Sequence, residues 1–216
     1  MKQLSKAASS RRRVLLVSGL AAIGGAIYCR RILAGGDAMA PAHDHHHAPV
    51  PPDIKRSEAL YKIPHTVLVR DDGASVNFPQ ELDDGHRVIL DFVYTSCTTV
   101  CPVTSVVFSQ LQALLGADLP NTKMVSISID PDYDTPARLR EYGEKFHAGP
   151  QWRHYTGTRQ ASLAMQKAFN VYRGDKMSHF PVTFLRAAPG KAWIRLEGFA
   201  TPDVLAQEYR KLTRNA

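Results

Sequence analysis

Val88-Ile89-Leu90-Asp91-Phe92-Val93-Tyr94-Thr95-Ser96-Cys97-Thr98-Thr99-Val100-Cys101-Pro102 decides the fold of this chain. Its first six residues are rich in β-branched and aromatic side chains and predict a buried strand. Just beyond it, Val103, Val106, Val107, Leu111, Leu114 and Leu115 repeat at the spacing of one helix face. Two thiols therefore stand where a strand feeds a helix. The free N–H groups and dipole of a helix N-terminus favour anions, so a thiol there tends toward thiolate, the form that attacks disulfides and binds soft metals. Pro102 suits a first turn, where its missing N–H has no intrahelical use.

Three residues separate the thiols. At i and i+4 they share a face if helical, and in a loop-like first turn they can chelate one ion or close a disulfide. Thioredoxin-type redox motifs are one residue shorter, which lowers the plain oxidoreductase reading and raises copper(I) or zinc. A structural disulfide, or two buried free cysteines, is the plain alternative.

Working outward, Thr66 to Arg70 reads as a strand turning at Asp71-Asp72-Gly73, and Met124 to Ile129 as another strand. Pro136 to Phe146 and Ala161 to Phe169 read as helices, Val182 to Arg186 and Ala192 to Leu196 as a hairpin, and Asp203 to Leu212 as a closing helix. Alternating strands and helices imply an α/β fold, a mixed central sheet with helices on both faces. A dithiol after an early strand, with Pro181 just before a later one, is the order of a thioredoxin-like fold. Trp152 and Trp193 are expected in the core or at its rim, and His65, His86, His147 and His154 on the surface.

The N-terminal quarter differs. Lys2, Lys6, Arg11, Arg12 and Arg13 precede an apolar run from Val14 to Tyr28. Fifteen residues of helix span about 22 Å against roughly 30 Å of hydrocarbon, so spanning draws on residues up to Ala34 and on snorkelling arginines. The basic flank orients the body to the far side of the membrane. Ser10-Arg11-Arg12-Arg13 also resembles a twin-arginine signal, with Ala38-Met39-Ala40 as a cleavage site, which leaves a soluble periplasmic product as the alternative. The expected organisation is an anchor over 1–35, a linker over 36–60 and the folded domain over 61–216. The linker is proline-rich and contains His43, His45, His46 and His47, which are candidates for auxiliary metal capture.

The net charge of +7 does not imply nucleic-acid binding, because the first 40 residues hold seven Lys or Arg and one acid, leaving the body near +1. No basic stripe remains to follow a phosphate backbone. Phosphate-cradling glycine loops, serine triads and paired hydrolase carboxylates are absent from the sequence.

Four ordered motifs within residues 65 to 213 resemble the Sco/SenC family, membrane-anchored copper proteins of cytochrome oxidase assembly. They are Phe92-Val93-Tyr94-Thr95-Ser96-Cys97 through Cys101-Pro102, Ser128 to Pro136 with Asp130 and Asp134, Thr156-Gly157-Thr158, and Ala168 to Tyr172 followed by His179. The resemblance implies Cys97, Cys101 and His179 as copper ligands, and Asp130 and Asp134 near the metal in partner recognition or metal handling. Two thiolates and an imidazole suit both copper(I) and copper(II) and leave one side open for hand-over. Asp134-Thr135-Pro136 reads equally as a helix cap, with Asp134 the capping residue.

A copper metallochaperone is the leading expectation, with the copper-bearing subunit of cytochrome c oxidase as recipient and a thiol reductant or other copper chaperones as further partners. The rivals are a thiol-disulfide oxidoreductase, with Cys97 attacking and Cys101 resolving, and a redox or copper sensor.

Overall fold

The computed structural model describes residues 53–214. The anchor segment and the histidines at 43, 45, 46 and 47 lie outside them. Eight strands form one sheet: β1 (Lys55–Ala59), β2 (Val67–Arg70), β3 (Ser75–Asn77), β4 (Arg87–Val93), β5 (Thr122–Ser128), β6 (Trp152–Thr156), β7 (Val182–Arg186) and β8 (Trp193–Glu197). Their order is β1-β8-β7-β4-β5-β6-β2-β3. β4, β5 and β6 run parallel at the centre, and β7, β8 and β1 continue the sheet antiparallel on one side.

The helices are α1 (Phe78–Leu82), α2 (Val100–Leu115), α3 (Pro136–Lys145), α4 (Arg159–Ala168) and α5 (Pro202–Arg214). Side chains alternate across each strand, so the sheet has two apolar faces. Phe108, Leu111, Tyr142 and Tyr209 carry α2, α3 and α5 onto the face of Ile89 and Met124. Phe78, Met165 and Phe169 carry α1 and α4 onto the face of Leu90, Phe92 and Val125. The three-layer, mixed α/β arrangement is thioredoxin-like, as the alternation of elements predicts. α2 and its 3-10 extension, Val100–Asn121, are long and apolar enough to cross a membrane. Cys101, Ser105, Phe108, Leu111 and Leu115 of α2 are buried, which makes it a core helix of this domain.

Three differences from the sequence reading have physical causes. Prolines suggest a linker up to residue 60, yet the chain joins the sheet at Lys55. There, five residues pair with β8 and the Arg56 guanidinium meets the buried Glu208 carboxylate at 2.9 Å. β6 and α1 escape periodicity, one because Arg153 and His154 interrupt its apolar residues, the other because five residues are little more than a turn. His154, expected on the surface, is fully buried on β6, packed against Trp152 and Tyr142. Trp152 and Trp193 are core residues, and His65 and His147 are exposed.

Candidate metal centre

The site forms where β4 and β5 end. Beyond Val93 the chain turns at once, the Cys97 N–H donating to the Tyr94 carbonyl at 3.1 Å, and α2 begins at Val100. Cys97 lies in the turn and Cys101 in the first helical turn, with the Cys101 N–H donating to Cys97 Sγ at 3.4 Å. No side chain caps α2. The free N–H of Cys101 in its first turn faces sulfur, the arrangement that the strand-to-helix reading anticipates.

Both thiols are free and buried, Cys97 at 7% exposure and Cys101 at zero, yet they differ in acidity. Burial opposes the Cys97 thiolate, but the backbones of Cys101 and Thr99, the Tyr94 hydroxyl and the Cys101 thiol outweigh it and bring it down to about 7. Burial pushes the Cys101 thiol far up, and the neighbouring Cys97 and Asp91 add to the rise. One sulfur is therefore ready as thiolate, and the other ionises once a cation or a disulfide partner arrives.

His179 reaches this edge through topology. β7 runs antiparallel to β4 with Thr183 opposite Asp91, so the residues entering β7 lie beside those leaving β4. A 3-10 turn, Lys176–Ser178, ends on His179, whose ring stands edge-on to Tyr94 with centroids 6.3 Å apart. Nε2 is 2.9 Å from the Phe92 carbonyl oxygen. Burial keeps the imidazole neutral, only partly offset by that carbonyl. A carbonyl accepts only, so Nε2 carries the proton and Nδ1 holds the lone pair available to a metal. Among the described residues, no three His, Cys, Asp or Glu side chains stand close enough to hold one ion. The His179 ring packs edge-on against Tyr94, the residue whose carbonyl accepts from the Cys97 N–H.

The aspartates divide the work differently from the cap reading. Thr135 caps α3, its hydroxyl accepting from the Arg138 N–H at 3.3 Å, as the Asp-Thr-Pro run permits. Asp134 turns inward. Fully buried, it accepts from the Thr95 N–H and hydroxyl and from the Ser128 hydroxyl, which lies 2.6 Å away. Burial nonetheless raises its pKa. It therefore fixes the turn leading to Cys97 and offers no surface to a partner. Asp130 pairs with Lys176 at 2.5 Å and tethers the His179 turn to the end of β5. Beside that tether an open cleft of about 550 Å³ is bounded by Asp130, Gln166, Tyr172, Lys176 and His179.

Two residues escaped the site reading. Tyr94 touches both halves of the edge: its hydroxyl supports the Cys97 thiolate and lies 3.7 Å from Met177 Sδ, while its ring faces His179. Asp91 is buried under the dithiol, and an acid inside an apolar strand run was the available signal. Its Oδ1 accepts from the Ser126 hydroxyl at 2.6 Å, its Oδ2 has no partner, and burial raises the carboxyl to about 7.

The SCO1/SenC family profile matches residues 56–214, most of the chain and nearly all of the described domain. The chain belongs to the SCO1/SenC family. It is 27% identical to the SCO1 protein homolog of Bacillus subtilis over 104 residues, 48% of this chain and 53% of that protein. The chain spans about half the length of the curated relatives it matches. In fold it resembles copper-bound ScoI of Arabidopsis thaliana, with a TM-score of 0.59 and 24% identity over 69% of this chain and 96% of that one. It also resembles BsSco, described as a cytochrome c oxidase assembly protein with a disulfide switch, with a TM-score of 0.60 and 23% identity over 72% and 95%.

Proposed function

We propose that this protein is a copper metallochaperone that takes up one copper ion through Cys97, Cys101 and His179 and passes it to the copper-bearing subunit of a respiratory cytochrome c oxidase. The observation carrying this reading is the unequal dithiol at the open edge of the sheet, with a neutral imidazole on the adjoining turn. The Cys97 thiolate captures the ion, and the ion's charge then favours loss of the Cys101 proton. His179 joins through Nδ1 after modest movement of its turn, which favours copper(II) over copper(I). Family membership and the copper-bound state of ScoI support the same cargo.

The N-terminal segment fits an exported protein anchored at the inner membrane with this domain in the periplasm. The histidines at 43, 45, 46 and 47 would collect metal, with a thiol reductant or another copper chaperone upstream. Titration of the reduced protein with copper(II), followed by thiolate-to-copper absorption, tests the ligand set. His179→Ala should bind copper(II) at least about tenfold more weakly. Equal binding by the variant and the parent rules out the three-ligand site.

The thiol asymmetry also favours a second reading, a thiol-disulfide reductase serving the copper acceptor. The Cys97 thiolate attacks the acceptor disulfide, forming a mixed disulfide and releasing one acceptor thiolate. Cys101 then loses its proton and resolves it, leaving this protein oxidised and the acceptor reduced. Catalytic turnover that survives His179→Ala supports this reading; stoichiometric reaction alone does not.

A further inference from the structure

Tyr94 is the first residue beyond β4 and is only 4% exposed. Its backbone and its side chain serve different segments. The carbonyl accepts from the Cys97 N–H at 3.1 Å, and the residue packs in one buried cluster with Val93, Cys97 and Cys101. The side chain meets the turn that leads into β7. Lys176 Nζ stands over the ring, 5.6 Å from its centroid, the His179 ring lies edge-on at 6.3 Å, and the hydroxyl donates to Met177 Sδ at 3.7 Å. Three of the four residues 176–179 thus meet one phenol.

These contacts fix direction as well as distance. An ammonium seeks the negative face of an aromatic ring, and two rings settle edge to face because their faces and edges carry opposite partial charge. The Phe92 carbonyl holds His179 at one atom, Nε2, at 2.9 Å, and a single contact leaves an imidazole free to swing about it. The Tyr94 ring, at 76° to the imidazole plane, limits that swing.

We propose that Tyr94 is a positioning residue for copper, its ring the pivot that keeps the His179 turn against the strand end carrying Cys97, so that imidazole and thiolates close on one ion. This rests on the copper reading above and deepens it. Tyr94 gives the ion no ligand in this role. It acts through His179, so its effect on copper disappears where that imidazole is absent.

The test is a double-mutant cycle on the reduced full-length protein. Copper(II) affinity is read through thiolate-to-copper absorption, which the N-terminal histidines do not produce. Tyr94→Leu should weaken binding about tenfold and move the absorption maximum to that of His179→Ala. Tyr94→Phe keeps the ring and should recover most of the affinity. In the His179→Ala background Tyr94→Leu should cost nothing further, because residues that act as one unit are not additive. An equal loss in both backgrounds means that Tyr94 only supports the fold, and that result overturns the proposal. A measurement on the parent needs no variant to fold: nuclear Overhauser contacts between the Tyr94 and His179 rings should persist in the copper(I)-loaded protein, and their disappearance rules out the pivot. If H179A loses copper(II) while Y94L binds like the parent, the three-ligand reading stands and the pivot falls. If H179A binds like the parent, both fall.

Discussion

The Thr95 hydroxyl donates to Asp134 Oδ1 at 2.5 Å, and the Thr95 N–H lies 3.2 Å from each oxygen of the same carboxylate. The turn that presents Cys97 therefore hangs from a residue 37 positions further along the chain. Asp134→Ala strands buried donors on Thr95 and Ser128, which predicts a loss of about 2 to 3 kcal/mol in chemical denaturation. Asp134→Asn retains one acceptor and should lose less. A D134A protein within about 0.5 kcal/mol of the parent would show that the carboxylate does not hold the turn.

The unequal thiols give a pH signature. In the reduced, metal-free protein, alkylation at Cys97 should rise with a midpoint at about 7 instead of the ordinary 9, while Cys101 stays unreactive across that range. Peptide-resolved mass spectrometry after timed alkylation reads both sites in one sample. A Cys97 midpoint near that of a free cysteine would mean that the Cys101 and Thr99 amides and the Tyr94 hydroxyl fail to offset burial.

Local chemistry made part of this site readable before any coordinates. An apolar strand, two thiols and a helical period place Cys97 and Cys101 at a helix start without reference to the rest of the chain. The roles of Asp130 and Asp134 were not readable, since a carboxylate before Thr-Pro looks like a cap whether it faces outward or inward. Only the position of the Thr95 turn, set by packing between β4 and β5, decides that Asp134 is buried and Thr135 caps. The position of His179 at the end of β4, against the Phe92 carbonyl, likewise depends on β7 running antiparallel to β4, a pairing that sequence spacing does not encode. β6 is hidden for a related reason: His154 reads as a polar surface residue, yet its ring is fully buried between Trp152 and Tyr142 with Nδ1 3.7 Å from the Asp71 carboxylate.

Asp91 links stability to pH. Its carboxyl has an ordinary value of 3.8 in the unfolded chain and about 7 in the folded one. The native state is therefore favoured while the group is protonated in both states, below about pH 4. As pH rises from there through about 7, the unfolded chain ionises first and stability is lost, with no further loss above that window. Asp91→Asn mimics the protonated form and keeps an oxygen for the Ser126 hydroxyl. It should match the parent at pH 4 and exceed it by several kcal/mol at pH 8 in urea denaturation. A difference that does not change between those pH values would show that Asp91 does not titrate within this window.

The Asp130–Lys176 pair separates positioning from stability. The pair is only partly exposed, Lys176 at 39% and Asp130 at 13%, so breaking it by Asp130→Ala should cost no more than about 1 kcal/mol of folding stability. The same change unties the turn carrying His179 from the end of β5. Copper(II) affinity, which depends on the imidazole, should then fall severalfold, whereas binding of a soft ion by the two thiolates alone should hold. Charge reversal on both residues, Asp130→Lys with Lys176→Asp, restores a tether of the opposite sense and should recover most of the lost affinity. Recovery distinguishes a tether from a simple loss of negative charge near the ion, which the swapped pair would leave unrepaired at position 130. Isothermal titration of the single and double variants reads both effects. If D130A binds copper(II) like the parent, the turn is held by the His179–Phe92 contact and the Tyr94 packing alone.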